Sequence, residues 1–227
     1  MNTTTLGILG IFYLHYAIDN LGSKISKSIL KTDKLHHNTR WFFVHFLSNL
    51  LVTTIGLPDF LDCLNNTGTC YDDKMTTYSK WSFWVTNMCH LYHILFYFKH
   101  MKKADWIHHL VMFGLCGPLG YISNRKLASV AAWFMTGYPG MIDYFLLWLV
   151  KLKKINPRFE KLMYIYISLL IRSPGCLFVI FLSIPGLINF NNIKELLLHL
   201  TALLFVFWNG QYYLAITIRD AAKKGIL

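Results

Sequence analysis

The residues of this chain able to do chemistry are ionisable side chains set inside otherwise apolar stretches. They are Asp19, His45, His90, His93, Asp143, Arg172 and His199, with His108 and His109 at the start of a further apolar run. Such groups are expensive in hydrocarbon, so they face a bundle interior or a wet cavity. His90 and His93 are three apart and share one helix face. His108 and His109 are adjacent, and only one of the two is expected to point inward as a general base. Neutral imidazole suits both proton transfer and metal binding. A contiguous His-x-x-His-His run is absent, so no metal set is assigned. Asp143 and Arg172 each sit mid-stretch and are expected to pair or to share a water-filled pocket. The plainer reading of the two is an ion pair that fixes helix packing. His36, His37 and His100 read as interfacial.

Seven apolar stretches must position these groups. They run from about Leu6 to Leu21, Trp41 to Leu57, Trp81 to Phe98, Trp106 to Ile122, Leu127 to Val150, Leu162 to Ile184 and Leu196 to Ile218. The fifth is interrupted by Pro139-Gly140 and the sixth by Pro174-Gly175. The chain is 55% apolar and only 15% charged, with a mean hydropathy of +0.40; a soluble domain carries about 25% charged residues. The expected fold is all-α: one seven-helix transmembrane bundle over residues 1–227. Residues 1–38 form a first span and basic linker, and residues 39–220 the six-span core. The first five residues lack a basic run, so the first span is expected to stay rather than be cleaved.

The formal charge of +11 would suggest nucleic acid in a soluble protein, but here it has a simpler cause. Sixteen Lys and Arg fall in the first, third and fifth connections and the C-terminal tail, against five on the opposite side. The positive-inside rule then places the C-terminus in the cytosol and the N-terminus outside. No nucleic-acid partner is expected; membrane lipid is, and a homodimer is left open. The second connection is the longest on the outer side and carries Asp59, Asp62, Asp72 and Asp73. It also holds the acceptor pattern Asn65-Asn66-Thr67 and two cysteines, Cys63 and Cys70, candidates for glycosylation and a disulfide in that compartment. A second acceptor pattern begins at Asn2, close to the membrane. The last span contains no lysine for a retinal Schiff base, which removes a pigment reading.

Four segments carry a family resemblance: "RWFFVHFLSN", "ADWIHHLVM", "IDYFLLWLVK" and "LLIRSPG". In their order the chain resembles the TLC-domain family of multi-pass membrane proteins. His45, Asp105, His108, His109 and Arg172 match that family's aromatic-flanked His, Asp-then-His-His stretch and late lone Arg. The resemblance implies six spans forming a barrel around a hydrophobic tunnel, in the endoplasmic reticulum or another endomembrane. His45, His93 and Arg172 are expected to line that tunnel, although Tyr92-His93 stands where the family usually has Tyr-Asp. Ceramide-synthase-like members transfer an acyl group from coenzyme A through a His-Asp signature. Here Pro139 and Gly140 occupy the His-Asp places and only Asp143 keeps the last carboxylate. The expectation is therefore a lipid-handling protein of membrane lipid homeostasis, without a cofactor, rather than a ceramide synthase. An acyltransferase using His108, His109 and Asp143 with acyl coenzyme A is the first alternative, and a small transporter or channel exploiting the proline interruptions the second.

Overall fold

The computed structural model describes residues 3–188 and 192–226; the acceptor pattern at Asn2 begins outside them. Seven helices and no strand are found among the described residues: α1 (Thr3–Leu30), α2 (His37–Asn65), α3 (Thr77–Phe96), α4 (103–123), α5 (127–151), α6 (Pro157–Ile188) and α7 (Ile193–Lys223). Three of them, α2, α6 and α7, are long and apolar enough to cross a membrane. Only 11% of the apolar window of α7 is buried against protein. Large side chains such as Leu204 and Trp208, with Leu170 and Phe181 on α6, stand outward, as suits a lipid-facing surface.

Local signals set the helix ends. Thr76 caps α3 by accepting from the Ser79 amide, and Ser79 reciprocates toward the Thr76 amide. This capping box satisfies two amides that a helix start otherwise leaves unpaired. Both hydroxyls then donate to the buried Asp59 of α2, at 2.8 and 2.7 Å. Asn156 caps α6 ahead of Pro157 at its first position, and Asn192 caps α7. The α4–α5 turn passes through Asn124 in the left-handed region, which asparagine tolerates better than most residues.

Three helices are interrupted in the same way. Before Pro118, Pro139 and Pro174 lie π-helical segments at Met112–Cys116, Trp133–Gly137 and Ser168–Arg172. In each, the residue preceding the proline donates its amide five residues back: Gly117 to Met112, Tyr138 to Trp133, Ser173 to Ser168. Proline has no amide hydrogen, and its ring clashes with the carbonyl four residues earlier. One extra residue in the turn moves that carbonyl aside and lets the helix resume. A glycine flanks each proline and is packed tightly: a Cβ on Gly117, Gly140 or Gly175 would fall 2.2, 2.5 and 1.9 Å from Asn87, Asn49 and Phe134.

Helices α2 to α7 form one connected set, in which α3 also packs on α5. Helix α2 packs on α3, α3 on α4, α4 on α7, α7 on α6, α6 on α5, and α5 on α2. Helix α1 lies against α2 and α3. Its anchor is Asp19, 2% exposed. Arg40 donates to both carboxylate oxygens at 2.8 Å, Tyr92 to one at 2.8 Å and Tyr97 to the other at 2.9 Å. A buried charge so paired is costly to break. Asp19→Ala is expected to cost about 3 kcal/mol and Tyr92→Phe about 1.5 kcal/mol, read as loss of unfolding free energy in detergent. An Asp19→Ala protein as stable as the parent would refute the anchor.

Candidate functional site

Two adjoining cavities lie between the helices. The larger, about 380 Å³, lies among α3, α4, α5, α6 and α7 and is walled largely by apolar side chains. The smaller, about 50 Å³, is polar and includes His45, His108, Asp143, Tyr144, Arg172 and Tyr213. His90, Met112, Met135 and Thr136 line both. All three π segments contribute to these walls, through Met112 and Cys116, Met135 and Thr136, and Arg172. The prolines that interrupt the helices thus turn wider, irregular turns toward one interior space.

Asp143 and Arg172 share the small chamber without forming an ion pair. The Arg172 guanidinium donates to the Tyr164 hydroxyl at 2.7 Å and lies over the Tyr213 ring at 4.9 Å. The Oδ1 of Asp143 and the Nε of Arg172 are buried with no hydrogen-bond partner. Of the two expectations for this pair, direct pairing is not what is found; a shared pocket is. Orphaned groups of this kind are costly to bury, and both face a space that a polar ligand group or water would fill.

The histidines form one connected patch. His45 is sandwiched between Tyr144 and His93, with ring centroids 4.2 and 4.3 Å away and planes within 10°. Trp41 covers His93 at 4.2 Å and His109 at 5.2 Å. His90 holds the Thr86 carbonyl through Nδ1 at 2.7 Å, and His108 Nδ1 lies 3.2 Å from the Tyr213 hydroxyl. The expectation that only one of His108 and His109 points inward is corrected here. His109 is 1% exposed and faces His90 and His93, while His108 lines the small chamber. Helix α4 has protein on two sides, α3 and α7, so its interior-facing arc accommodates two successive residues.

Two groups of side chains have ligand atoms close enough together to hold a metal ion: His45, Cys89 and His93, and His90, His108 and His109. Asp105, matched to the TLC pattern, accepts from the Lys102 amide at 2.9 Å and caps α4. Sequence reasoning missed the tyrosines. Tyr144, Tyr164 and Tyr213 all line the small chamber, and the only available hint was the adjacency of Tyr144 to Asp143. No protein-family model matches the chain, and neither a curated protein nor a solved structure is found similar to it.

At the other end the large cavity reaches Tyr71, Asp72 and Arg125. Asn65 is exposed there, and Cys63 and Cys70 are joined as a disulfide. Backbone bonds Met75 to Asn124 and Lys126 to Asp73 tie the α2–α3 connection to the α4–α5 turn. Arg125 donates to the Asp72 carboxylate, and Lys126 to those of Asp62 and Asp73. The hydrogen bond from Lys126, and then that from Asn66, holds the Asp62 carboxyl below its usual range. Burial pulls the Lys126 ammonium down, but the bonds to Asp62 and Asp73 outweigh it and raise it. A carboxyl lowered by folding stabilises fully above its unfolded value, about 4, and that contribution fades as pH falls through the lowered value. Amide-exchange protection of residues 62–75 is therefore expected to hold from neutral pH to about 5 and to decline below about 4. Lys126→Met should flatten the profile; an unchanged profile would dismiss the latch.

Proposed function

We propose that the chain is a membrane protein of the TLC-domain type whose interior holds the acyl chain of a membrane lipid, with the polar end of that lipid at Asp143 and Arg172. The observation that carries this reading is the junction of the two cavities. An apolar space of about 380 Å³ lies in the range of ligand sites, about 300–1,000 Å³. It meets a chamber holding an unpartnered carboxylate oxygen and an unpartnered guanidinium nitrogen. That is the division of chemistry an amphipathic lipid presents. The order of neighbours from α2 to α7 supports a six-helix barrel with α1 outside it. The distribution of Lys and Arg supports an outer N-terminus and a cytosolic C-terminus; the endomembrane setting rests on the TLC-domain resemblance.

Acyl transfer, with His108 or His109 as base and Asp143 as its orienting carboxylate, is the second reading. It is favoured by one observation: His108 and the unpartnered Asp143 line the same chamber. Against it stands Pro139-Gly140 at the places of the missing His-Asp pair.

Filling the large cavity tests the lipid reading. Ala128 on α5 and Ala202 on α7 both line it. A phenylalanine at either position displaces several methylenes of a bound chain, at about 0.8 kcal/mol each. Ala128→Phe and Ala202→Phe should lower co-purified lipid, measured by mass spectrometry, by about tenfold or more, with the helical spectrum unchanged. Lipid retained in full by both well-folded variants, or absent from the parent protein, would sink the proposal.

A further inference from the structure

The interior histidines point to a function beyond lining a tunnel. His90 comes from α3, and His108 and His109 from α4. Their ligand atoms all lie within 4.8 Å of one another. The rings do not stack. Their planes cross at 52°, 66° and 63° for the pairs His90–His108, His90–His109 and His108–His109. Imidazole binds a metal in its ring plane, so three crossed rings can aim lone pairs at a common point where three parallel rings cannot. The neighbouring trio is different. His45 and His93 are parallel within 10° at 4.3 Å, and Cys89 Sγ sits 3.7 Å from the Nδ1 of each, which reads as packing around a thiol.

The outer nitrogens of the crossed rings are held in the way metal-binding histidines are. His90 Nδ1 meets the Thr86 carbonyl at 2.7 Å. A carbonyl only accepts, so Nδ1 carries the hydrogen and Nε2 keeps a free lone pair. The Tyr213 hydroxyl meets His108 Nδ1 at 3.2 Å; a hydroxyl can accept as well as donate, and in the tautomer where Nδ1 donates to it, Nε2 offers its lone pair to a metal ion. The Nδ1 of His109 is buried without any partner, although the residue is 1% exposed. A ligand is the simplest partner for a nitrogen so enclosed. Zinc at about 2.0–2.1 Å from each nitrogen requires the three atoms to draw closer together around it.

We infer that His90, His108 and His109 bind one divalent ion of the zinc class, with its fourth position open to the polar chamber beside Asp143. Three neutral imidazoles suit zinc and its first-row neighbours, and three protein ligands with one open position is the pattern of a reactive rather than a purely structural site. The inference does not require a bound acyl chain.

The full-length protein, carrying a tag that does not bind metal, is purified without chelator in lipid nanodiscs. The background carries His37→Ala and His100→Ala, so that the cluster of His36, His37 and His100 rings outside the cavities adds nothing to the metal count. Metal content is measured by mass spectrometry, and added cobalt is read by the visible bands of four-coordinate Co²⁺. One zinc per chain is expected, lost in His90→Gln and in His109→Gln. Tyr213→Phe keeps the three ligands and the ring under Arg172, and should weaken zinc binding by about tenfold. Loss of the ion in Cys89→Ser with retention in His90→Gln would move it to the other trio and overturn the assignment. Substoichiometric zinc together with no cobalt bands in the parent would overturn it too. Lipid measured in the same samples separates a failure here from a failure of the lipid reading.

Discussion

Inside hydrocarbon no water is present to take up a backbone amide or carbonyl, so every break in a helix must be repaired by the chain itself. Three prolines interrupt helices of this protein, one of them in the membrane-crossing candidate α6, and the repair is the same each time: a π turn whose last amide reaches five residues back. The repair has a geometric consequence. A π turn is wider than an α turn, redirects the side chains it carries, and recurs at functional sites in other proteins. Here the redirected residues, Met112, Met135, Thr136 and Arg172, are the ones that wall the two cavities. The flanking glycines complete the arrangement, because a side chain on Gly117, Gly140 or Gly175 would occupy the space of Asn87, Asn49 or Phe134. Widening on the inner side and close approach to a neighbour come from one dipeptide. Pro58 and Pro185 also lie within helices, without a π segment.

The charged interior follows two different rules. Asp19 is matched on every side: two bonds from Arg40 and one each from Tyr92 and Tyr97. Such a group fixes α1 against α2 and α3 and has nothing left to offer a ligand. Asp143 and Arg172 share a chamber yet leave atoms unmatched. A protein that only needed packing there would be better served by apolar side chains of the same volume. The contrast between a saturated and an unsaturated buried carboxylate in one molecule separates scaffold from site more clearly than burial does, since both are nearly inaccessible.

Much of this was legible in the amino-acid sequence, and the reasons for the gaps are physical. Apolar runs between polar loops place the seven helices, because hydropathy is a property of windows and survives small errors of boundary. The chamber residues Asp143 and Arg172 stood out because charge in an apolar run is rare. Their failure to pair was not legible: it depends on the π turn at Ser168–Arg172, which aims the guanidinium at Tyr164 and Tyr213. The inward turn of both His108 and His109 was hidden for a similar reason. Adjacent residues on a helix diverge by about 100°, and whether that arc is interior depends on how many neighbours the helix has. The tyrosines were invisible as site residues because tyrosine is equally at home at a membrane interface, and only the fold separates the two uses.

The position of the histidines argues that the chamber is built for occupancy rather than left over from packing. Imidazole is a poor filler for an apolar interior, since it brings two nitrogens that each need a partner. Six histidines or cysteines converge here, from three helices, when aliphatic residues would pack the same space without that demand. Part of the demand is met within the protein, by the Thr86 carbonyl and the Tyr213 hydroxyl. Part is not: His45 Nε2, His93 Nε2 and His109 Nδ1 are all buried without a partner. A neutral ring carries one hydrogen and one lone pair, so facing rings could satisfy one another only in an ordered N–H···N chain, and the geometry here leaves these three nitrogens outside any such bond. An additional electrophilic centre, whether an ion or the polar group of a ligand, resolves the deficit at once, and the cavity beside it gives that centre a way in.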